Sequence, residues 1–286
     1  MYPHVAEETN NIHKLLNDDR IVLSALYWGV EEKEQKLRDA VSSSLSNTPG
    51  LRVKILLDWC RGTRLVGGQS SVTLLSPLLS SLPQHSTTER SSRCRLAFYQ
   101  TPQLRGWLSR LLPSKWNELL GLQHCKVYIF DNSLVISGAN LSRDYFTNRQ
   151  VRNANDHDNV GIIYYIYLYL QDRYVVIEDC KPLADYYEGL VDRISEFSLQ
   201  LQSNGEFVAS PEFAGQSTGN FVERSRDLMR NFLSQQRELH SVSVEAEDWD
   251  TLIFPTVQMG VFNIDQVGVI QYTAGCRHLT SHLAGL

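Results

Sequence analysis

Residues 122–142 read L-Q-H-C-K-V-Y-I-F-D-N-S-L-V-I-S-G-A-N-L-S. Two short apolar runs, Val127 to Phe130 and Ser133 to Ser137, meet at Asp131-Asn132, a dipeptide suited to a tight turn. Strand side chains alternate between faces with period two. On that period His124, Lys126 and Tyr128 share one face, while Cys125, Val127 and Ile129 share the other and suit a core. An imidazole beside an ammonium on a rigid strand is a phosphate-handling pair. The ring can attack phosphorus, and the amine can neutralise phosphoryl oxygens as charge develops on them. Asp131 closes the strand, where a carboxylate can orient a neighbouring donor or ring. After the second strand, Gly138 leaves room for close approach of a phosphate, and the Asn140 amide adds a donor.

Working outward, I-V-L-S-A-L-Y-W (residues 21–28) reads as a buried strand and is followed by a helix over 31–46, with Leu37, Val41 and Leu45 on one stripe. R-V-K-I-L-L-D (52–58) predicts a second strand, then a Gly-rich basic loop from Arg61 to Gly68. A short helix over 74–82, a Ser/Thr-rich surface loop over 84–92 and a third strand over 94–99 come next. Tyr174 to Ile177 predicts another strand and Pro182 to Leu201 a helix, its stripe carried by Leu183, Tyr187, Leu190 and Ile194. Strands alternating with helices point to the α/β class, with a mixed β-sheet flanked by helices. The first domain is expected over residues 1–201, a Gly/Ser/Gln/Asn-rich linker over 202–220, and the start of a second, incomplete domain over 221–286.

The bulk numbers narrow the function classes. A net charge of −5 over 286 residues argues against a general nucleic-acid binder. The five cysteines are widely spaced with no C-x-x-C, so neither a disulfide framework nor a zinc site is expected. The N-terminal residues carry early acids and no apolar core, unlike a secretory or transit peptide. The longest apolar run, residues 160–170, is well short of the roughly 20 residues that span a bilayer as a helix.

The string H-C-K-V-Y-I-F-D, residues 124–131, resembles the HKD signature of the phospholipase D superfamily. The words around it, L-L-D-W-C-R-G-T-R, F-Y-Q-T-P-Q-L-R-G, W-N-E-L-L-G-L-Q-H-C-K, S-G-A-N-L-S and Y-F-T-N-R-Q, are similar to the eukaryotic phosphatidylglycerophosphate synthase family. The resemblance covers about 21–150 and 172–266. It implies a phospholipase D-like lobe and transfer of a phosphatidyl group from CDP-diacylglycerol to glycerol 3-phosphate with release of CMP. It also implies a mitochondrial enzyme peripheral to the inner membrane, without metal or cofactor. His124 would be the nucleophile that forms a phosphatidyl-histidine, Lys126 would bind phosphodiester oxygens, and Asp131 would orient the site. Asn140 and Ser142 would contact phosphate or position the groups that do. Arg61 and Arg64 follow a strand ending in Asp58, where ligand loops gather in α/β sheets, and would grip the diphosphate or glycerol phosphate. Leu104, Trp107, Leu108 and Leu111 form an apolar stripe beside Arg105 and Arg110, a pattern suited to peripheral membrane contact.

Two departures from the family pattern bear on function. Deleting residues 151–171 leaves T-N-R-Q-D-R-Y-V, the family reading, so this insert is expected to be a translated intron; a mature transcript lacking its codons would bear that out. The superfamily also works with two facing HKD motifs, and no second H-x-K occurs among the 286 residues. The chain therefore reads as a partial one, expected to be inactive as a monomer. The alternatives are a superfamily phosphodiesterase or hydrolase that completes its site as a homodimer, and an inactive lipid-binding lobe.

Overall fold

The strand Arg20–Ser24 (β1) is buried at every position, and an interior strand needs partners on both edges. It pairs in parallel with Arg52–Asp58 (β2) and antiparallel with Val127–Phe130 (β4). The computed structural model describes residues 20–80, 93–104, 121–145, 173–240, 252–253, 255–267, 272–273 and 279–283. The expected 84–92 loop, nearly all of the 104–116 segment and the 151–171 insert lie outside the described residues.

The remaining strands of the main sheet are Cys94–Tyr99 (β3), Ser133–Ser137 (β5), Arg173–Ile177 (β6), Leu199–Leu201 (β7) and Phe207–Ala209 (β8). An edge strand, Leu279–Leu283, completes nine strands in the order edge-β6-β5-β4-β1-β2-β3-β7-β8. Only β1, β2 and β3 run parallel to one another; every other pairing is antiparallel. This is the mixed α/β sheet that the alternating pattern implied.

Period-two alternation splits the core into two layers. On one face Ile21, Leu23, Ile55, Leu57, Leu96, Phe98 and Tyr128 meet helices Glu32–Asn47 (α1) and Ser71–Ser80 (α3), through Leu37, Val41, Leu45, Leu75 and Leu78. On the other, Val22, Leu56, Ala97, Val127, Ile129 and Leu134 meet Lys181–Glu196 (α4) and Thr218–His240 (α5). Tyr128 and its neighbours Val127 and Ile129 thus fall on opposite faces, as the pattern required. The stretch 202–220 contributes β8 to the sheet and the first residues of α5.

The strand expected over 21–28 ends at Ser24 and the helix expected from 74 begins at Ser71; two further elements differ from the sequence expectation in kind. The helix expected to run to Leu201 stops at Glu196, although its apolar spacing continues through Phe197 and Leu201. Phe197 instead turns into an aromatic cluster with Tyr99, Phe213, Phe221 and Phe262, and Leu199–Leu201 pairs with the open edge of β3. Backbone pairing to an unfilled strand edge overrides a continued helical stripe. Secondly, the basic loop after β2 opens with one helical turn, Trp59–Gly62 (α2), because the Asp58 carboxylate caps it by accepting from Arg61 N at 3.0 Å. Gly62 is forced by proximity: a Cβ there would lie 2.7 Å from the Phe98 ring.

Candidate functional site

The carboxyl ends of the parallel strands β1 and β2 lie at the same edge of the sheet as the residues entering β4 and leaving β5. Ligands gather at such edges because the loops there are free of the ladder and backbone groups point outward. The segment 123–126 enters β4 between the outgoing ends of β1 and β5, where the Lys126 carbonyl still accepts from Ser137 N at 3.4 Å and side chains hold the residues before it.

Three anchors do this. Gln123 N donates to Asp58 Oδ2 at 3.1 Å, tying the residue before His124 to the end of β2. Ser24 Oγ, at the end of β1, donates to the Cys125 carbonyl at 3.1 Å, and Gln123 Nε2 donates to the same carbonyl at 3.1 Å and to Ser24 Oγ at 2.6 Å. Lys126 is buried, and its ammonium donates to the His124 carbonyl at 3.0 Å. His124 itself is exposed on a backbone fixed on both sides. The pair is therefore split by depth, with the imidazole at the surface and the ammonium beneath it.

The segment leaving β5 is stitched to the segment leaving β1. Asn140 is buried; its Oδ1 accepts from Leu26 N at 3.1 Å and its Nδ2 donates to Tyr145 Oη at 3.2 Å. Ser142 Oγ lies 3.1 Å from Tyr27 Oη, and Gly29 N donates to the Leu141 carbonyl at 2.7 Å. The Arg61 guanidinium stacks over the Tyr27 ring at 5.2 Å from its centroid, a cation–π contact that links α2 to the same edge. Arg64 follows α2 and is exposed.

His124, Lys126, Arg61, Arg64, Asn140 and Ser142 thus belong to one edge of the sheet. Asp131 does not. It sits at the far end of β4, about 16 Å along the strand from Lys126 at the usual rise of roughly 3.3 Å per residue. There its Oδ1 accepts from Arg20 N at 3.2 Å and its carbonyl accepts from Arg20 Nε at 2.7 Å, with a left-handed φ of 53°. The expected orienting role at His124 has no geometric basis; Asp131 joins the β4–β5 turn to the start of β1. The spacing of the motif reveals a strand crossing the sheet, and its two ends necessarily emerge at opposite edges.

The residues that the sequence reading left without a role are Asp58, Gln123, Ser24 and Tyr27. Asp58 ends a predicted strand and precedes Arg61, but only the fold brings it to Gln123, 65 positions away. Burial, opposed by the amides of Arg61 and Gln123, pushes its carboxyl up from about 3.8 to about 6. A carboxyl that binds its proton more tightly when folded favours the folded state most below its unfolded value, and that contribution is lost as pH rises through the folded value. Between pH 4 and pH 6.5 Asp58 alone should therefore remove about 2 kcal/mol of stability. Asp58→Asn mimics the protonated form. The stability gap between this variant and the parent, measured by denaturant unfolding, is expected to change by that amount across the range; a constant gap would contradict it.

Among the described residues no group of three or more His, Cys, Asp or Glu could hold a metal ion. No helix among them is long and apolar enough to cross a membrane.

No family model matches the chain. Over 86% of its length it is 34% identical to curated proteins named CDP-diacylglycerol–glycerol-3-phosphate 3-phosphatidyltransferase, mitochondrial, from Homo sapiens and Mus musculus, covering 44% of each. A probable CDP-diacylglycerol–glycerol-3-phosphate 3-phosphatidyltransferase from Dictyostelium discoideum is 33% identical over 88% of this chain and 41% of its own. The chain thus spans less than half the length of these curated relatives. Among solved structures, a phosphatidylserine synthase from Haemophilus influenzae aligns with a TM-score of 0.44 at 22% identity, over 80% of this chain and 42% of that one.

Proposed function

We propose that this chain supplies one half-site for phosphatidyl transfer from CDP-diacylglycerol to glycerol 3-phosphate, giving phosphatidylglycerophosphate and CMP. The observation that carries the proposal is the exposed His124 on a clamped backbone above the buried Lys126, in a chain whose relatives bear the name of this transferase.

In the first step a ring nitrogen of His124 attacks the phosphorus of the phosphatidyl group. The bond to the bridging oxygen breaks, and CMP leaves with its electron pair. In the second step a hydroxyl of glycerol 3-phosphate attacks the phosphatidyl-histidine, the P–N bond breaks, and the hydroxyl proton passes to a base. Lys126, Arg61 and Arg64 supply positive charge to phosphoryl oxygens. Asn140 and Ser142 hold the two stitched segments in register, and the Asp58–Gln123–Ser24 clamp positions His124. The reaction needs no cofactor and no metal in this scheme. The compartment proposed is the mitochondrion, in line with the names of the relatives, with the chain peripheral to the inner membrane.

Only one H-x-K occurs in the 286 residues, which keeps a second reading alive: a homodimeric hydrolase of the phospholipase D superfamily. One experiment separates the two. Labelled CDP-diacylglycerol is supplied with glycerol 3-phosphate to the monomer, to any dimer fraction, and to the chain mixed with a partner carrying a second H-x-K. Transfer to glycerol 3-phosphate when the partner is added is the expected result. Release of phosphatidic acid by the dimer, with water as the acceptor, would favour the hydrolase. Vesicle binding with no CMP release in any arm would leave an inactive lipid-binding lobe.

A further inference from the structure

The turn that follows Arg64 carries the adjacent pair Leu65 and Val66, 66% and 61% exposed. The other large apolar side chains exposed among the described residues, Val208 and Leu239, stand far apart in sequence from this pair and from each other. The turn is closed by two backbone hydrogen bonds between Val66 and Gln69, at 2.7 and 3.1 Å. Gly67 and Gly68 complete it with left-handed φ values of 58° and 82°, and a Cβ at either would meet nothing within 4 Å. The tip is therefore a defined hairpin projecting into open space.

Its base is anchored on both sides. The Arg61 guanidinium stacks over Tyr27, and Ser70 and Thr73 exchange hydrogen bonds at the start of α3, with Ser70 N on Thr73 Oγ1 at 2.8 Å. Two arginines flank the apolar pair on its N-terminal side, and the turn springs from the same sheet edge as His124. An apolar tip with Arg64 beside it is complementary to a bilayer surface: aliphatic side chains enter the acyl boundary while the arginine meets lipid phosphates.

We infer that the turn 64–69 is a membrane-docking element, with Leu65 and Val66 entering the bilayer and Arg64 pairing with anionic headgroups, so that the sheet edge bearing His124 faces the lipid. The inference rests on the reading of the substrate as a lipid, but vesicle binding and transfer are measured separately, so either can fail without the other.

The test is flotation of the 286-residue chain with vesicles of phosphatidylcholine alone and of phosphatidylcholine mixed with phosphatidylglycerol. The parent should bind the mixed vesicles more tightly, with a bonus that falls as salt is raised. The double substitution Leu65→Ser with Val66→Ser should weaken binding to both by at least about tenfold, with an unchanged thermal melt because both side chains are exposed. Arg64→Gln should remove part of the anionic bonus only. A tryptophan introduced by Leu65→Trp should shift its emission to the blue on binding. Failure of the parent to bind either vesicle, or parent-like binding by the double variant, would overturn the assignment. So would a change in oligomeric state without a change in vesicle binding, which would make the turn a contact between copies of the chain. Absence of transfer even with the partner carrying a second H-x-K added, alongside intact vesicle binding, would count against the proposed reaction and leave the docking element standing.

Discussion

His124→Ala is expected to abolish release of CMP from CDP-diacylglycerol, exchange of labelled CMP back into it, and transfer to glycerol 3-phosphate. The expectation applies in whichever assembly supports turnover. A covalent nucleophile has no partial substitute, and loss of one typically lowers turnover by about 10⁴-fold or more. The clamp around His124 makes the measurement interpretable. Gln123 N is held by Asp58, and the Cys125 carbonyl by Ser24 and Gln123. The His124 carbonyl is held by Lys126. All of these contacts run through the backbone of the segment or its neighbours, which alanine keeps, and the exposed position of His124 adds to the expectation that the variant folds. Lys126→Ala differs in kind. On the proposed reaction it removes a charge that meets phosphoryl oxygens, an effect of about 10²–10³ in rate, and it leaves the part-buried His124 carbonyl without its Lys126 donor, so it should also lower the melting temperature. A His124→Ala variant that retains CMP exchange would refute the nucleophile assignment, and with it the proposed intermediate.

What the sequence made legible follows from period and adjacency. Arg52–Asp58, Cys94–Tyr99, Val127–Phe130 and Ser133–Ser137 were all readable as strands because apolar runs of that length, bounded by turn residues, have few alternatives. The grouping of His124 with Lys126, Arg61 and Asn140 was readable because each stands at the end of a predicted strand. The Asp58–Gln123 contact was not, since it joins residues brought together only by the parallel β1–β2 and antiparallel β1–β4 pairings. Nor was the direction in which Asp131 emerges. A motif written in one dimension does not distinguish a residue beside the nucleophile from one that pins the opposite end of the same strand. The end of α4 was misread for a third reason: the apolar stripe through Phe197 and Leu201 satisfies helical spacing, and only the vacant edge of β3 decides otherwise.

At the opposite end of the parallel strands from His124, Glu188→Ala should be among the most destabilising single substitutions in the described chain. Arg20 and Lys54, on β1 and β2, project to the α4 face, and Arg95 on β3 continues the row. Glu188 accepts from Arg20 Nη1 at 2.5 Å and from Lys54 Nζ at 2.7 Å, with only 11% of its side chain exposed. Asp185 flanks it on the Arg20 side at 2.5 Å and Asp192 on the Lys54 side at 2.7 Å. Burial works against its ionised carboxyl, yet the bonds to Lys54 and Arg20 prevail and hold it below its ordinary range. Removing it leaves two cations in a desolvated setting with one carboxylate each. Breaking a buried ion pair in this way costs about 3–5 kcal/mol; the two remaining acids argue for the lower end, near 3 kcal/mol. Against a typical total of about 5–15 kcal/mol, that should appear as a large drop in the denaturant midpoint. Glu188→Gln, which keeps the shape and a hydrogen-bond acceptor, should recover part of it. Because the network sits across the sheet from His124, activity per folded molecule should be unchanged. Asp131→Ala is the companion test. It removes the carboxylate that accepts from Arg20 N and places alanine at a left-handed φ of 53°, while the backbone bonds between Asp131 and Arg20 remain, so it should lose less stability than Glu188→Ala and leave turnover in the active assembly unchanged. If folded Asp131→Ala protein instead lost transfer outright, Asp131 would have to act on His124 from the far end of β4, and the division of the motif into a chemical end and a structural end would be wrong.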